Sequence, residues 1–227
     1  MRTEEKGIRE FIEALSGKDP VPGGGGASAL AGAYGVSLGM MVGNLTHGKK
    51  KYEAFEPKLA VIMDKLKKLR EEFLVLSDED EKVFLPLSQA YGLPRNTEEE
   101  ALHREEVLEQ CLTDASLTPL KVMERACEAL NYMSDLAENG STLAISDVGV
   151  GVQFLNTALS GAVMNVYINT RMMKNENKAA ELNDYAEKLL LDGTAKARLV
   201  YETVEKALKP CYNFETRRRH DKVDFGD

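Results

Sequence analysis

The clearest pattern of apolar residues in the chain begins at Pro57 and repeats in alternating steps of three and four positions. The apolar positions of this repeat are Leu59, Ile62, Leu66, Leu69, Phe73 and Leu76, followed by Phe84, Leu87 and Tyr91. Steps of three and four place side chains on one face of an α-helix. The repeat therefore predicts one long helix with a single buried face.

Helical patterns also dominate the rest of the chain, and no run of alternating β-branched residues predicts a strand. The predicted helices cover about 8–15, 26–46, 57–91, 97–137, 147–170 and 177–208. Thr97 and Glu100 form a capping box that predicts the start of the fourth helix. Because proline lacks an N–H and clashes with the preceding turn, we expect that helix to break or kink before Pro119.

Two of the predicted helices, the second and the fifth, are rich in small uncharged residues. The first has Ala31, Gly35, Gly39 and Gly43 at every fourth position, and the other has Gly151, Ala158, Ala162 and Asn165 along one side. Such stripes let helix backbones pack closely in soluble bundles and in membranes alike. Since the first segment is rich in Gly, Ser and Asn rather than Leu, Ile and Phe, we favour two central core helices over two membrane spans.

Length and composition agree with this architecture. The 227 residues are 43% hydrophobic and 29% charged, which is typical of one soluble globular domain. The sequence therefore predicts an all-α multi-helix bundle with two central small-residue helices, forming a single domain over 1–227. Three cysteines without CxxC spacing, and an N-terminus without an apolar signal region, favour a cytoplasmic protein.

The charge balance bears on possible partners. Lys and Arg number 29 against 37 Asp and Glu, so the net charge is −8, which disfavours binding to nucleic acid. A local basic cluster that includes Lys49 and Lys50 could still bind a small acidic ligand, although a solvated helix end is the favoured interpretation. The three histidines are scattered, with no paired carboxylate motif, and no metal site is expected.

A run of four glycines, Gly23, Gly24, Gly25 and Gly26, precedes the first small-residue helix. It does not match a P-loop, because Ala27 follows the last glycine where a lysine is needed. It does not match a dinucleotide fingerprint either, because no strand precedes it. The run nevertheless predicts a sharp turn that can approach a ligand closely, with free amides at a helix start that attract anions.

Asp80 occupies a position in the long helix where the apolar repeat predicts a leucine, beside Leu76 and Phe84. Burial disfavours the charged form of a carboxyl group, so its pKa should rise toward neutral pH. Asp80 is therefore a candidate general acid and base. The alternative is a helix break near Ser77, with Asp78 or Asp80 capping a second helix.

Two asparagines on the second small-residue helix, Asn165 and Asn169, lie one turn apart. Their amides could project into a shared cavity and contact a ligand. They could equally form hydrogen bonds between helices within the core, and the spacing does not distinguish these two interpretations.

Four segments together carry a resemblance to a known family. They are "PVPGGGGASALAGAYGVSLGMMVGNLT", "LSDEDEKVF", "YGLPRNTEEE" and "ENGSTLAISDVGVGVQFLNTALSGAVMNVYINT". In this order they resemble the formimidoyltetrahydrofolate cyclodeaminase / methenyltetrahydrofolate cyclohydrolase family. The resemblance implies an all-helical homodimer with a folate-binding cleft near the glycine loop and the subunit interface. It also implies that Asp80 is the catalytic aspartate.

The resemblance implies a cyclodeaminase that releases ammonia from 5-formiminotetrahydrofolate to give 5,10-methenyltetrahydrofolate. The tetrahydrofolate derivative is then a substrate, and no permanently bound cofactor is expected. We expect Gly23 to Gly26, Asn165 and Asn169 to line the folate, and Lys49, Lys50 or Arg171 to meet its glutamate carboxylates. The alternatives are a methenyltetrahydrofolate cyclohydrolase, which forms 10-formyltetrahydrofolate, and a non-catalytic helical binding or scaffold module.

Overall fold

A computed structural model describes residues 7–209, and these residues form helices and no strand. The α-helices are α1 (Ile8–Leu15), α2 (Gly24–Thr46), α3 (Glu56–Ala90), α4 (Glu98–Asn139), α5 (Ile145–Thr170) and α6 (Glu176–Leu208). Two short 3₁₀ helices, Lys50–Phe55 and Thr142–Ala144, precede α3 and α5. The predicted all-α fold class is therefore confirmed, whereas the predicted domain limits of 1–227 stay a prediction.

The two small-residue helices, α2 and α5, form the centre of the bundle and run antiparallel to each other. A Cβ at Gly35 would lie 2.8 Å from the backbone oxygen of Gly151, so the two helices touch backbone to backbone at this point. α2 also packs against α3, and α5 also packs against α4 and α6. The predicted pair of central helices is confirmed, and small residues are what allow this close approach.

The apolar repeat of α3 faces the core as predicted as far as Leu87, whereas Tyr91, its last predicted member, is 43% exposed and follows the end of the helix at Ala90. Its buried members include Leu59, Ile62, Leu66, Leu69, Phe73, Leu76 and Leu87. α3 continues from Glu56 to Ala90 without a break, so the alternative of a helix end near Ser77 is wrong. Asp80 therefore projects from the middle of a continuous helix and does not cap a second helix that begins within this segment.

The sequence predicts a break or a kink before Pro119; α4 does not break there, because the helix extends from Glu98 to Asn139 with this proline inside it. A proline at position 119 leaves the carbonyl group of Ala115, four residues earlier, without its helical N–H donor. The side-chain Nδ2 of Asn169 on α5 donates to that carbonyl oxygen at 3.0 Å. A neighbouring helix thus supplies the hydrogen bond that the proline removes, which is why the helix can continue.

By length and composition, α2 is the one helix in the described part of the chain that could cross a membrane. In this structure 61% of its apolar window is buried, and it packs against α3, α4 and α5. These contacts are those of a core helix, as the sequence predicts. The cytoplasmic location stays a prediction.

Candidate active site

The glycine turn, Gly23 to Gly26, leads directly into the first turn of α2. The helix begins at Gly24, two residues earlier than predicted, with Gly23 as its N-cap and no side chain capping it. The first N–H groups of a helix have no partner within the helix. One of them, the N–H of Gly26, donates to Oδ2 of Asp80 at 2.9 Å. The acid of α3 therefore takes the place of a capping side chain at the start of α2.

Asp80 also lies directly against Gly25. A Cβ at position 25 would overlap the carboxyl group of Asp80, so no side chain fits there. One turn earlier on α3, the hydroxyl of the buried Ser77 donates to the backbone oxygen of Gly26 at 3.2 Å. Ser77 and Asp80 thus hold the C=O and the N–H of the same glycine, which fixes the turn relative to α3.

The environment of Asp80 raises the pKa of its carboxyl group to about 6, from an ordinary value of 3.8. The main cause is burial, which disfavours the charged form; the N–H of Gly26 acts in the opposite direction, and the nearby charge of Glu81 adds to the increase. An acid with a pKa near neutrality can both release and accept a proton under ordinary conditions. The geometry therefore gives Asp80 the properties of a general acid and base.

Asn165 of α5 is the second predicted site residue that lies at the glycine turn. Its side-chain amide would be 3.6 to 3.7 Å from a Cβ at Gly24, and its Nδ2 donates to the backbone oxygen of Gly161 at 2.9 Å. The hydroxyl of Ser28 packs in the space left by the missing side chain of Gly161 and donates to the oxygen of Gly24 at 2.7 Å. α5 thus supports the side of the turn opposite α3.

Asn169 and Arg171 follow Asn165 toward the end of α5. Asn169 is 7% exposed, and its Nδ2 is engaged by the oxygen of Ala115. This contact is the hydrogen bond between helices that the sequence left open as the alternative to ligand binding. Arg171 is exposed just beyond the end of α5. Because α2 and α5 are antiparallel, Arg171 lies at the same end of the bundle as the glycine turn.

Lys49 and Lys50 lie at the other end of α2, where both are exposed. They line a shallow surface cavity together with Gly48, Glu53 and Glu56. At 1.5 Å per residue, the length of α2 separates them from the glycine turn by about 33 Å. A single chain therefore does not bring Lys49 and Lys50 together with Asp80.

Three residues that support the turn, Ser28, Ser77 and Gly161, were not predicted as part of a site. Ser77 precedes Asp80 by three positions, Ser28 follows Gly24 by four and Gly161 precedes Asn165 by four, so each lies on the same helix face as a predicted site residue. That spacing is the sequence signal that could have found them. In residues 7–209, no group of three or more His, Cys, Asp and Glu side chains is placed to hold a metal ion.

Comparison with known proteins adds three kinds of similarity. The family model described as formiminotransferase-cyclodeaminase matches residues 7–188. A methenyltetrahydrofolate cyclohydrolase from Methylorubrum extorquens is 36% identical over 198 residues, which are 87% of this chain and 95% of that protein. A formimidoyltransferase-cyclodeaminase from Gallus gallus is 29% identical over 201 residues, and this chain spans only 37% of its length.

Among solved structures, the crystal structure of a formiminotetrahydrofolate cyclodeaminase from Thermotoga maritima is similar to this fold, with a TM-score of 0.76. The similarity covers 90% of this chain and 96% of that chain, at 25% sequence identity. The whole helical bundle, and not only the glycine turn, is therefore shared with that protein.

Proposed function

This chain belongs to the formiminotransferase-cyclodeaminase family, and from that premise we propose that it catalyses an acid–base reaction at the one-carbon unit of a tetrahydrofolate. Its relatives are enzymes of folate one-carbon metabolism. The observation that carries the proposal is the carboxyl group of Asp80, held against Gly25 and Gly26 at the start of α2. Burial there raises the pKa of that carboxyl group to about 6.

The reaction that we propose first is the cyclohydrolase reaction. Water adds to the methenyl carbon between N5 and N10, and the carboxylate of Asp80 accepts a proton from that water. The bond between the carbon and N5 then breaks as N5 takes up the proton from Asp80, while the hydroxyl group on the carbon loses its proton to solvent and becomes the formyl oxygen. The product is 10-formyltetrahydrofolate, with net release of one proton. Proton transfer by a positioned carboxyl group contributes a rate factor of about 100 to 10,000. The 36% identity with a cyclohydrolase, over 95% of its length, favours this reaction.

The second candidate is the cyclodeaminase reaction, which the sequence had suggested first. Here N10 adds to the carbon of the protonated 5-formimino group, whose nitrogen becomes an NH2 group, and N10 gives its proton to Asp80. The same carboxyl group then passes that proton to the NH2 group, and ammonia leaves. The product is 5,10-methenyltetrahydrofolate. The similarity in fold to a formiminotetrahydrofolate cyclodeaminase supports this candidate. Both reactions pass through a tetrahedral carbon and need one proton carrier, and Asp80 meets that need in either case.

In this proposal the folate lies along the glycine turn as a substrate and not as a permanently bound cofactor. Its reacting carbon faces Asp80, and the side chain of Asn165 contacts it from the α5 side. Arg171 lies at the same end of the bundle and can form charge-assisted hydrogen bonds with the glutamate carboxylates of the folate. Asn169 would add a contact through its Oδ1 or through the second N–H of its Nδ2, because the first N–H donates to Ala115.

We also propose that the protein acts as a homodimer. α2 and α5 expose large apolar side chains along adjoining faces: Tyr34 (48%), Met41 (48%) and Leu45 (41%) on α2, and Val150 (50%), Phe154 (37%), Met164 (58%) and Ile168 (57%) on α5. The rings of Tyr34 and Phe154 are in contact, with 5.7 Å between their centroids, which joins the two faces into one surface. A continuous apolar surface of this kind is typical of an interface between subunits.

A dimer would also account for the distant lysines. If α2 packs antiparallel to its symmetry mate about a two-fold axis near its middle, its N-terminal end meets the C-terminal end of the other α2. Lys49 and Lys50 of one subunit would then lie near the glycine turn and Asp80 of the other. In this arrangement each site combines the acid of one chain with the basic cluster of its partner.

The test is an assay of the purified protein with both substrates. Loss of methenyl absorbance with 5,10-methenyltetrahydrofolate, faster than the uncatalysed hydrolysis, supports the cyclohydrolase. Ammonia release from 5-formiminotetrahydrofolate supports the cyclodeaminase. The matched control is the Asp80→Asn variant, in which both activities should fall. A folded protein that accelerates neither reaction would contradict the proposal and favour a non-catalytic binding module.

A further inference from the structure

One stripe of side chains on α3 faces α2, and its members meet glycines of that helix. In each pair a Cβ added to the glycine would lie no more than 3.4 Å from the side chain on α3. The pairs are Met63 with Gly43, Leu66 with Gly39, Phe73 with Gly32, Ser77 with Gly26 and Asp80 with Gly25. Positions rise along α3 as they fall along α2, so the two helices run antiparallel. The next member of this stripe, one turn after Asp80, is Phe84.

Phe84 continues the stripe past the point where α2 begins. α2 starts at Gly24, and residues 16–23 are not helical. The antiparallel register brings Phe84 level with position 21, in the segment that leads into the glycine turn. Phe84 packs against the core from one side and is only half-buried, whereas Phe73, which α2 covers, is 0% exposed. An aromatic ring with an open side therefore lies directly beyond the start of α2.

The ring of Phe84 is close enough to Asp80 to contact the same small molecule. Side chains four positions apart on a helix have their Cβ atoms about 5 to 6 Å apart. In the proposed reactions the one-carbon unit lies at the carboxyl group of Asp80, and its carbon is bonded directly to N5 of the pterin. Aromatic rings stack with their centroids about 4.5 to 7 Å apart. A pterin attached to a carbon at Asp80 is therefore within stacking range of Phe84.

The two sides of the glycine turn indicate which end of the folate meets Phe84. On the α5 side lie the amide of Asn165 and, at the same end of the bundle, Arg171. The reacting carbon joins N5, on the pterin, to N10, on the aminobenzoyl-glutamate. If the glutamate extends toward Arg171, the pterin extends from the carbon toward α3.

We propose that Phe84 is the pterin-binding residue of this site and that its ring stacks on the planar pyrimidine half of a tetrahydropterin. This inference rests on the proposed function and assigns the end of the substrate that the acid does not touch. Stacking on a side chain of the same helix as Asp80 fixes the distance between the pterin and the carboxyl group. Such positioning of the reacting atoms contributes to the rate.

The first test compares the affinity of three full-length variants for tetrahydrofolate by calorimetric titration. Phe84→Leu keeps an apolar side chain and removes the ring, and we expect it to raise Kd about tenfold. Phe84→Trp keeps a flat ring and should stay within about threefold of the wild type. The control is Leu85→Ala, because Leu85 is the next residue, is 41% exposed and lies on another face of α3. It should bind as the wild type does.

The second test identifies the end of the folate that meets the ring. The chain contains no tryptophan, so Phe84→Trp introduces a single fluorescent indole. We expect a tetrahydropterin that lacks the aminobenzoyl-glutamate to protect this indole from quenching by acrylamide. We expect p-aminobenzoylglutamate to leave the quenching unchanged. Leu85→Trp is the matched control, and neither compound should protect its indole.

The outcomes separate this inference from the proposed function. If the wild type binds tetrahydrofolate and Phe84→Leu binds it equally well, the inference is wrong and the proposed function stands. If p-aminobenzoylglutamate protects the indole and the tetrahydropterin does not, the assignment of the pterin to Phe84 is wrong. A wild type that binds no tetrahydrofolate overturns both. If Phe84→Leu does not fold, the protection measured in Phe84→Trp decides the inference.

Discussion

Gly25 and Asp80 approach each other so closely that the carboxyl group of Asp80 occupies the space where a side chain at position 25 would begin. The two residues are far apart in sequence, on α2 and α3, and the next residue, Gly26, donates its N–H to the same carboxyl group. The N-terminal end of a helix favours negative charge. The start of α2 and the middle of α3 therefore act as one structural unit that partly buries the carboxyl group of Asp80 and gives it a hydrogen-bond donor.

Replacing Gly25 by alanine should damage activity and stability together. The new methyl group must displace the carboxyl group of Asp80 or shift the start of α2, and overpacking of this kind costs about 1 to 3 kcal/mol. A misplacement of about 1 Å in a catalytic group can reduce the rate about 100-fold. Steady-state kinetics and urea unfolding measure the two effects. The control is Gly7→Ala, because no heavy atom lies within 4 Å of a Cβ at Gly7; wild-type activity in Gly25→Ala would disprove the close contact.

Asp80→Asn should abolish most of the activity without unfolding the protein. Asparagine has nearly the same shape and can still accept the N–H of Gly26, but it cannot carry a proton. We expect kcat to fall by about 100- to 10,000-fold while substrate binding changes little. The comparison is Glu79→Gln, one residue earlier on the same helix, whose side chain pairs with Lys121 near the surface. If Asp80→Asn keeps activity within a few-fold of the wild type, another group transfers the proton.

The same variant should be more stable than the wild type above pH 6. The pKa of Asp80 is about 6 in the folded protein and 3.8 for the ordinary group, so the folded state binds the proton more tightly than the unfolded chain. Asp80 makes its full contribution to the free energy of unfolding below pH 3.8, the pKa of the ordinary group. That contribution is lost as the pH rises through about 6, the pKa in the folded protein. At pH 7 the lost contribution is about 3 kcal/mol.

Asp80→Asn does not titrate, so its stability relative to the wild type should rise between about pH 4 and pH 6 and then level off. Thermal unfolding of both proteins across this range is the measurement. If the difference in stability between the two proteins is the same at every pH, burial does not perturb the pKa of Asp80.

The part of the site formed by Asp80 could be predicted from the sequence because one strong pattern contained it. The apolar repeat of α3 specifies which face is buried, and a carboxyl group on that face is recognisable as an exception. The small-residue stripes of α2 and α5 likewise predicted close packing, which the contact between Gly35 and Gly151 confirms. The periodicity of a helix shows which of its sides faces the core. The inward position of Asp80 and the close packing of α2 and α5 depend only on that information.

Features that depend on a specific partner in another helix could not be predicted in this way. The pattern around Pro119 predicted a break or a kink. The helix does not break, because the side-chain amide of Asn169, 50 positions later in the sequence, supplies the hydrogen bond that the proline removes. The distance of Lys49 from the glycine turn follows from the length and direction of α2. A list of candidate residues gives neither the length nor the direction of the helix that joins them. Local sequence patterns identify helices and their buried faces, whereas the contacts between helices require the three-dimensional structure.

The relationship between Pro119 and Asn169 can be tested with a double-mutant cycle. Asn169→Ala should destabilise the protein by about 1 to 3 kcal/mol, because the buried carbonyl of Ala115 is left without a donor. In a Pro119→Ala background the restored N–H can donate to the same carbonyl, so the cost of Asn169→Ala should fall by about 1 kcal/mol. Urea unfolding of the four proteins gives the coupling free energy. Strictly additive effects would show that the amide of Asn169 does not compensate for the proline.

Lys49 and Lys50 show whether a site uses residues from two chains. A variant with Lys49→Glu and Lys50→Glu should bind folate more weakly, because it reverses the charge that we propose for the mouth of the partner's site. Both lysines are exposed, so the variant should fold normally. The effect should appear in KM more than in kcat, since the acid itself is unchanged. A lysine variant with unaltered kinetics would exclude these residues from the site.

Two inactive or weakened chains should then complement each other. When Asp80→Asn is co-expressed with the double lysine variant under two affinity tags, the purified mixed dimer contains one intact site and one doubly defective site. Its activity should be about half that of the wild-type dimer. Suppose instead that Lys49 and Lys50 serve the site of their own chain. The mixed dimer then contains one site without the acid and one site with reversed charge. It should bind substrate only as weakly as the lysine variant does. The KM of the mixed dimer therefore distinguishes a site shared between chains from a site within one chain.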